Sequence, residues 1–473
     1  MKRELYLFGI IVFPLFFISC NANKEKQETH QQTVFTGKSG EIKLIILDPG
    51  HFHASLLLKF PQKQINDTVY VYAPKGEELN QFLSSIEDYN NRPENPTSWI
   101  PVVYADSDYL EKMIADKKGN VVILAGNNQK KTEYIHQSIS AGYHVLSDKP
   151  MVIDAKKFPM LEAAYDTARI KGVYLYDVMT ERYDVLNAIS RELLKNKTLF
   201  GELESGSQDK PSIQLESVHH FYKNVSGNAL LRPAWFYDVE QQGEGIVDVS
   251  THLVDLIHWI CFPDSTIDYK TNVRVISAKH WPTKVTQAEF EKSTKLNVFP
   301  DYLQKDVKDG SLYVLANGRI NYEVNHKNAQ VTVMWNFEAP SGTGDTYNAL
   351  LAGTKASIRI NQNEATKYIE ELYVERNQGV DQQIFDLELK NEIVRLQKAY
   401  PSISLERIND QKYHIVVPIE SRPGHEDYFG YVAQQFFQYL VNRDMPEWEI
   451  KNTLTKYYIT TTALQLVQDK LID

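Results

Sequence analysis

Three side chains in this sequence suit proton and hydride chemistry if the fold brings them together: Lys149, Asp248 and His252. Asp248 and His252 are four residues apart in VDVSTHLVDLIHWI, so on a helix they share a face and can meet one small ligand. Taking the proton from a secondary alcohol while hydride leaves its carbon for a nicotinamide requires a base. Histidine has the ordinary pKa best placed for that work, which makes His252 the candidate base. A cation beside the oxygen stabilises developing alkoxide charge, and Lys149, at a strand end, can supply a compact donor. Asp248 would orient the substrate or keep the other two correctly charged. Taken singly, each has a plainer reading: Asp and His at this spacing form ordinary helix pairs, and a lysine before Pro150 is a solvated strand end. His258, in the apolar run LIHWI, reads as a packed helix histidine.

A second chemically capable group lies in LIILDPGHFHASLLL, Leu44 to Leu58. A buried strand, a turn and a helix form the place where α/β proteins bind phosphate. Such turns carry several glycines, whereas this one has Gly50 alone, between Asp48 and the pair His51 and His53. Gly50 keeps the position at which backbone approaches a pyrophosphate; Pro49 removes an N–H, and His53 is bulky where helix and strand meet. LDPGH also resembles the zinc-binding turn of cell-wall N-acetylmuramoyl-L-alanine amidases, and Asp48, His51, His53 and His136 are the residues that would then hold the metal. The Gly-Gly that follows the amidase histidine is absent and no second histidine block follows, so no metal is expected and the amidase ranks as the weaker reading.

The elements that must position these groups alternate. IKLIILD, TVYVYA and WIPVVYAD read as buried strands, followed by the helix SDYLEKMIADKKG and the strand NVVILAG. A helix from Lys131 to Ala141, the strand YHVLSDKP, a helix over 158–171 and the strand GVYLYDV complete the pattern. The expected fold class is therefore α/β, with a Rossmann-like doubly wound parallel sheet over residues 41–182. Its ligand should lie beyond the carboxyl ends of the strands, and the expected cofactor contacts are Asp48, Gly50, His51, His53, Gly126, Asn127, Asn128, Asp148 and Pro150. Residues 183–473 read as a C-terminal α+β domain for substrate and oligomer contacts, with strand-like runs from Asn272 to Val417 forming a largely antiparallel sheet. A last helix, YFGYVAQQFFQYLVN, packs back on either domain. Arg182 and Tyr183 at the crossover, and Trp235 and Tyr237 upstream of Asp248, are the expected substrate contacts, with His219 or His220 and His425 as further pocket candidates.

Two stretches resemble one family. NVVILAGNNQKKTEYIHQSISAGYHVLSDKP is similar to the signature of the glucose-fructose oxidoreductase, inositol dehydrogenase and MocA family: Ala141, Gly142, His144, Val145, Leu146, Lys149 and Pro150 match, with Asp148 where the family usually has Glu. About a hundred residues on, RPAWFYDVEQQGEGIVDVSTHLVDLIHWI resembles its glycine-containing segment followed by Asp-x-x-x-His, here Asp248 and His252, and then Asp255. The resemblance implies catalytic roles for Lys149, Asp248 and His252, NAD or NADP as cofactor, and a sugar, glycoside or cyclic polyol as substrate. The chain departs from the family at the outer glycines of the first turn, at Gly126-Asn127 where the family has Thr-Pro, and at Lys131 where it has His. After VYVYA, Pro74 or Lys75 stands where an acidic residue would meet the adenosine ribose. Two readings of cofactor binding follow: a dinucleotide held in an altered way, or a sugar-binding protein that has lost it. The first accounts better for Lys149, Asp248 and His252.

Composition sets the surroundings. The chain has 473 residues, is 42% hydrophobic and 24% charged, and carries a net charge of -10, which argues against nucleic acid because phosphate binding needs clustered Lys and Arg. Lys2 and Arg3 precede the apolar stretch Leu5 to Ile18 and then Cys20, a pattern that resembles a bacterial lipoprotein signal over residues 1–20, with Cys20 lipidated and the protein exported on a membrane anchor. Residues 21–40 are polar and read as a tether. If Cys20 carries lipid, Cys261 is the remaining thiol and no intrachain disulfide forms. Free nicotinamide cofactor is scarce outside the cytoplasm, so an exported dehydrogenase is expected to keep its cofactor through a closed cycle of oxidation and reduction. The 28 Tyr and 6 Trp offer ring faces for sugars, although most such residues are core, and a homo-oligomer is expected from the sheet-faced second domain.

Overall fold

The structure, a computed structural model, describes residues 34–225 and 228–469; Cys20, the signal-like segment and most of the expected tether lie outside the described residues. Six parallel strands, β1 (Leu44–Leu47), β2 (Thr68–Ala73), β3 (Ile100–Ala105), β4 (Val121–Leu124), β5 (His144–Asp148) and β6 (Leu175–Val178), form a sheet in the order 3-2-1-4-5-6. That order places a topological switch between β1 and β4, the point at which doubly wound sheets bind ligands. The central strands are apolar on both faces because both are covered. In β1, Leu44 and Ile46 join one core while Ile45 and Leu47 join the other. β3 differs from the expected buried strand: it is the sheet edge, with Ile100, Val102 and Val103 exposed.

Helices α1 (His53–Leu56), α2 (Glu77–Asn91), α3 (Tyr109–Asp116), α4 (Asn128–Ser140) and α5 (Phe158–Lys171) connect these strands. α4 starts where the Asn127 side chain accepts from the Gln129 amide, and α5 stops at Gly172, whose φ of 65° is left-handed. α1 is only four residues long, so it leaves its face of the sheet short of cover. The gap is filled from far along the chain: Phe429, Val432, Phe436 and Leu440 of the helix His425–Asn442 pack among Leu44, Ile46, Val69 and Val71.

The second layer is a ten-stranded sheet. From Val273–Thr286 it passes through Ser311–Val324, Lys327–Glu338 and Ile213–Tyr222 to Thr346–Ala352, and onward to an edge at Ser404–Arg407. All its pairings are antiparallel except that of Lys327–Glu338 with Ile213–Tyr222. Helices α6 (Val185–Lys195) and Ser250–Cys261 contribute to its apolar core. The final helix, Glu447–Asp469, lies against that core through Ile459 and Ala463 and against the parallel sheet through Tyr457.

The two sheets therefore share their C-terminal helices. At the N-terminal end, the last part of the expected tether is folded: Phe35 is buried against His144, and the Thr36 amide donates to Glu41. Cys261 is a buried free thiol, and no helix among the described residues is long and apolar enough to cross a membrane.

Candidate active site

A cavity of about 940 Å³ opens between the carboxyl ends of the parallel strands and one face of the large sheet. Lys149 reaches it from just beyond β5, while Asp248 and His252 reach it from the start of the Ser250–Cys261 helix. Lys149 Nζ lies 2.6 Å from Asp248 Oδ1, and Gln242 Nε2 donates to Asp248 Oδ2 at 3.0 Å. Asp248 itself precedes the helix, in a turn whose amide donates to the Glu244 carbonyl, so the two side chains converge from turn and helix and not from two turns of one helix.

Burial and the neighbouring Lys149 lower the His252 pKa to about 4, and its Nδ1 is buried with no hydrogen-bond partner. The imidazole is therefore neutral at ordinary pH and has an unsatisfied polar atom. Burial pushes the Asp248 carboxyl up, but the Lys149 ammonium outweighs it and holds the group below its ordinary value. The arrangement provides a neutral nitrogen base beside an ammonium fixed by a carboxylate.

His51 and His53 form the adjoining wall. Their rings meet edge to face at 4.0 Å between centroids, and His53 Nδ1 is 3.0 Å from Asp148 Oδ2, with His51 Nδ1 at 3.8 Å from the same oxygen. Burial pushes both histidines well below their ordinary pKa. Beneath them, Lys131 Nζ donates to Asn128 Oδ1 at 2.6 Å and to the Asp148 carbonyl at 3.1 Å; burial lowers its pKa to about 8.

The opposite wall is acidic. Glu181, Asp184 and Glu370 line the cavity, and burial with the neighbouring carboxylates raises Glu370 to about 8. Burial also opposes the charged form of Glu181, but His425 and other neighbours outweigh it and lower this group to about 2. At the far end Asp345 receives His219, His220 and Lys223 at 3.2, 3.0 and 2.5 Å, and Trp335 and Arg232 close the surface. No short-range motif marks Glu370, Asp345 or Trp335, which the sheet pairings and the loop that ends at Asp345 bring here; Gln242 stands six residues before Asp248, within the glycine-containing segment.

Several expected contacts lie elsewhere. Arg182 is buried in a bidentate pair with Asp255, at 2.6 and 2.7 Å, and also pairs with Glu449 at 2.9 Å, so its guanidinium joins helices and does not face substrate. Tyr183 lines a separate depression with Tyr431 and Gln434. Tyr237 is a core residue whose hydroxyl pairs with Ser293, and Trp235 is buried over the first turn, its Cζ2 3.5 Å from where a β carbon on Gly50 would stand.

Of the expected cofactor contacts, His51 and His53 line the cavity, and Asp148 stands behind them. The Asp48 carboxylate instead accepts from the Tyr134 hydroxyl at 2.7 Å. Asn127 and Asn128 donate to Gln241 Oε1 and the Gln242 carbonyl, both at 2.7 Å, and so tie the two layers together. Gly50, Gly126 and Pro150 do not border the cavity. Neither Asp48 nor His136 joins the two histidines; the carboxylate that does is Asp148, 95 residues from His53.

A nicotinamide dinucleotide fits this site unevenly. At the catalytic end, Lys149 and His252 border open space large enough for a ring and a small substrate, the range of small-molecule sites being about 300–1,000 Å³. At the diphosphate end, the amides of Gly50 and His51 already donate to the Ala125 carbonyl at 3.2 and 3.1 Å. The approach of the two turns leaves no room for a side chain: a β carbon on Gly126 would stand 2.2 Å from the Asp48 carbonyl oxygen. Phosphate can use those two amides only after they leave Ala125.

Residues 46–177 match the oxidoreductase family with an NAD-binding Rossmann fold, and residues 189–468 match the oxidoreductase C-terminal domain. A solved structure of an oxidoreductase from Parabacteroides merdae is 45% identical, covers 93% of this chain and 100% of its own, and superposes with a TM-score of 0.90. A 3-ketoreductase from Actinomadura kijaniata, solved with NADP and TDP-benzene, shares the fold at 12% identity and a TM-score of 0.54 over 90% of this chain and 98% of its own. An uncharacterised oxidoreductase of Schizosaccharomyces pombe is 26% identical over 147 residues, which are 31% of this chain and 35% of that protein. The amidase reading falls with these matches: the chain belongs to the glucose-fructose oxidoreductase, inositol dehydrogenase and MocA family of NAD(P)-dependent oxidoreductases.

Proposed function

We propose that the protein acts on a CH–OH carbon of a sugar, glycoside or cyclic polyol, as an exported, lipid-anchored enzyme that keeps its NAD or NADP through a closed cycle. The observation that carries this reading is the convergence of the Lys149–Asp248 pair and neutral His252 on one large cavity. When bound, the nicotinamide accepts or returns hydride at the substrate carbon. His252 takes the hydroxyl proton, and Lys149, held by Asp248, donates to the same oxygen as negative charge develops. Glu181 accepts a hydrogen bond from a ligand hydroxyl and the carboxyl of Glu370, raised to about 8, can also donate one, which favours a hydroxylated ligand over an apolar one.

Export rests on the residues around Cys20, and the closed cycle rests on export. Oxidation of a ring carbon acidifies the adjacent C–H, so a glycosidic oxygen can be eliminated before the carbonyl is reduced again; in the alternative cycle the oxidised sugar leaves and the retained hydride reduces a second sugar. Denaturing the purified protein and assaying released dinucleotide by mass spectrometry tests retention. Near-stoichiometric NAD or NADP is expected; protein that is empty and binds no added dinucleotide would defeat the reading. Loss of membrane association in Cys20→Ala tests the anchor.

A further inference from the structure

We propose that His51, His53 and Asp148 form a divalent-cation site in the cavity wall, suited to zinc or a similar first-row metal, with its open coordination position facing the substrate space. One donor atom from each residue lies within 4.8 Å of the other two. Two imidazoles and one carboxylate are a donor set that binds such metals while leaving positions for an exogenous oxygen. Tetrahedral ligands about 2.1 Å from an ion stand about 3.4 Å apart, so closure requires shifts of roughly 1 Å.

The surroundings hold the three donors in place. The Gly50 and His51 amides fix the turn to the Ala125 carbonyl, the Phe429 ring lies 4.5 Å from that of His53, and Asp148 is a buried strand end whose carbonyl receives Lys131. Of the two lysines nearby, Lys149 is neutralised by Asp248 at 2.6 Å and Lys131 donates to the Asp148 backbone carbonyl at 3.1 Å, while the Asp148 carboxylate oxygen faces the His53 ring at 3.0 Å. This turn spends two of its amides on its own chain and directs two imidazoles at the cavity. An ion held there would polarise a substrate oxygen beside Lys149.

The site uses three of the residues expected to contact the dinucleotide, so bound metal and bound nucleotide are measured separately and the failure of one is distinguishable from the failure of the other. The full chain is stripped with chelator and titrated with zinc, with bound metal measured by mass spectrometry. A cobalt-loaded sample is examined for the visible bands of low-coordinate cobalt. One ion per chain is expected. His51→Ala/His53→Ala should weaken binding by more than about 100-fold, beyond the 10–100-fold that loss of an outer-shell partner costs. The exposed His326→Ala should leave binding unchanged. Asp148→Asn, which keeps volume, provides the same test if the double variant melts early by circular dichroism. A stripped wild type that takes up no zinc or cobalt, or ligand variants that bind as wild type does, would overturn the site whatever the nucleotide content.

Discussion

The Lys149–Asp248 pair permits a quantitative prediction. The two charges are 2.6 Å apart, with side-chain exposures of 12% and 5%. At an effective dielectric constant near 20 their gross attraction is about 6 kcal/mol, and desolvation takes back a large part of it. Lys149→Met leaves Asp248 buried with only Gln242 as donor, and Asp248→Asn leaves an ammonium in the same wall. Each single change should cost about 3–5 kcal/mol, the usual penalty for breaking a buried pair from one side. The double variant removes both charges and should cost about 3 kcal/mol less than the sum. Urea melts of the four proteins at neutral pH measure this coupling. Single costs that add to within about 0.5 kcal/mol would refute the claim that Asp248 holds the Lys149 ammonium.

Three further outcomes follow from other parts of the fold. Burial lowers His258 to about 3, so between that value and about 6.5 the unfolded chain binds a proton that the folded chain does not, and stability falls as pH drops below about 6.5. His258→Leu should relieve about 2 kcal/mol of this loss at pH 5, read as the difference between melts at pH 5 and pH 7 in variant and wild type. Arg182→Met should destabilise by about 3–5 kcal/mol by leaving Asp255 and Glu449 short of a partner, while KM stays unchanged in whatever protein folds; a raised KM in a fully stable variant would restore Arg182 as a substrate contact. Phe436→Ala, at a fully buried position in the core of the parallel sheet, should cost about 3–5 kcal/mol, and differential scanning calorimetry should show one transition lowered as a whole, because the C-terminal helices join both sheets.

The parallel sheet is readable in the sequence because its strands are buried on both faces and stand out as continuous apolar runs. The position of Lys149 at a strand end follows from the same pattern. α2 also carries a visible signal, with Leu79, Phe82 and Ile86 at helical spacing, although it is absent from the expected elements. The final helix leaves no such stripe: Thr455, Lys456, Thr460 and Thr461 are buried polar residues with hydrogen-bond or ionic partners, so burial on nearly all sides hides its period.

Long-range pairing limits the reading of the site in the same way. The partners of Arg182 lie 73 and 267 residues away, and a residue at a domain crossover reads as a pocket residue until they are known. The carboxylate that completes the His51 and His53 cluster is 95 residues from His53, whereas Asp48, the local candidate, turns to a tyrosine hydroxyl.

If His252 and Lys149 serve hydride transfer from a polyhydroxylated substrate in this cavity, as proposed, the hydride can be followed from the substrate carbon to the nicotinamide. The direct measurement is a single turnover with fully deuterated glucose and then with deuterated glycosides and cyclitols, reading deuterium on the recovered nicotinamide by mass spectrometry, in wild type and in His252→Gln. Deuterium on the nicotinamide in wild type with one of these substrates, reduced by about 100-fold or more in the variant, is the predicted result. A wild type that transfers none from any of them, or a variant that transfers as much, would contradict the account.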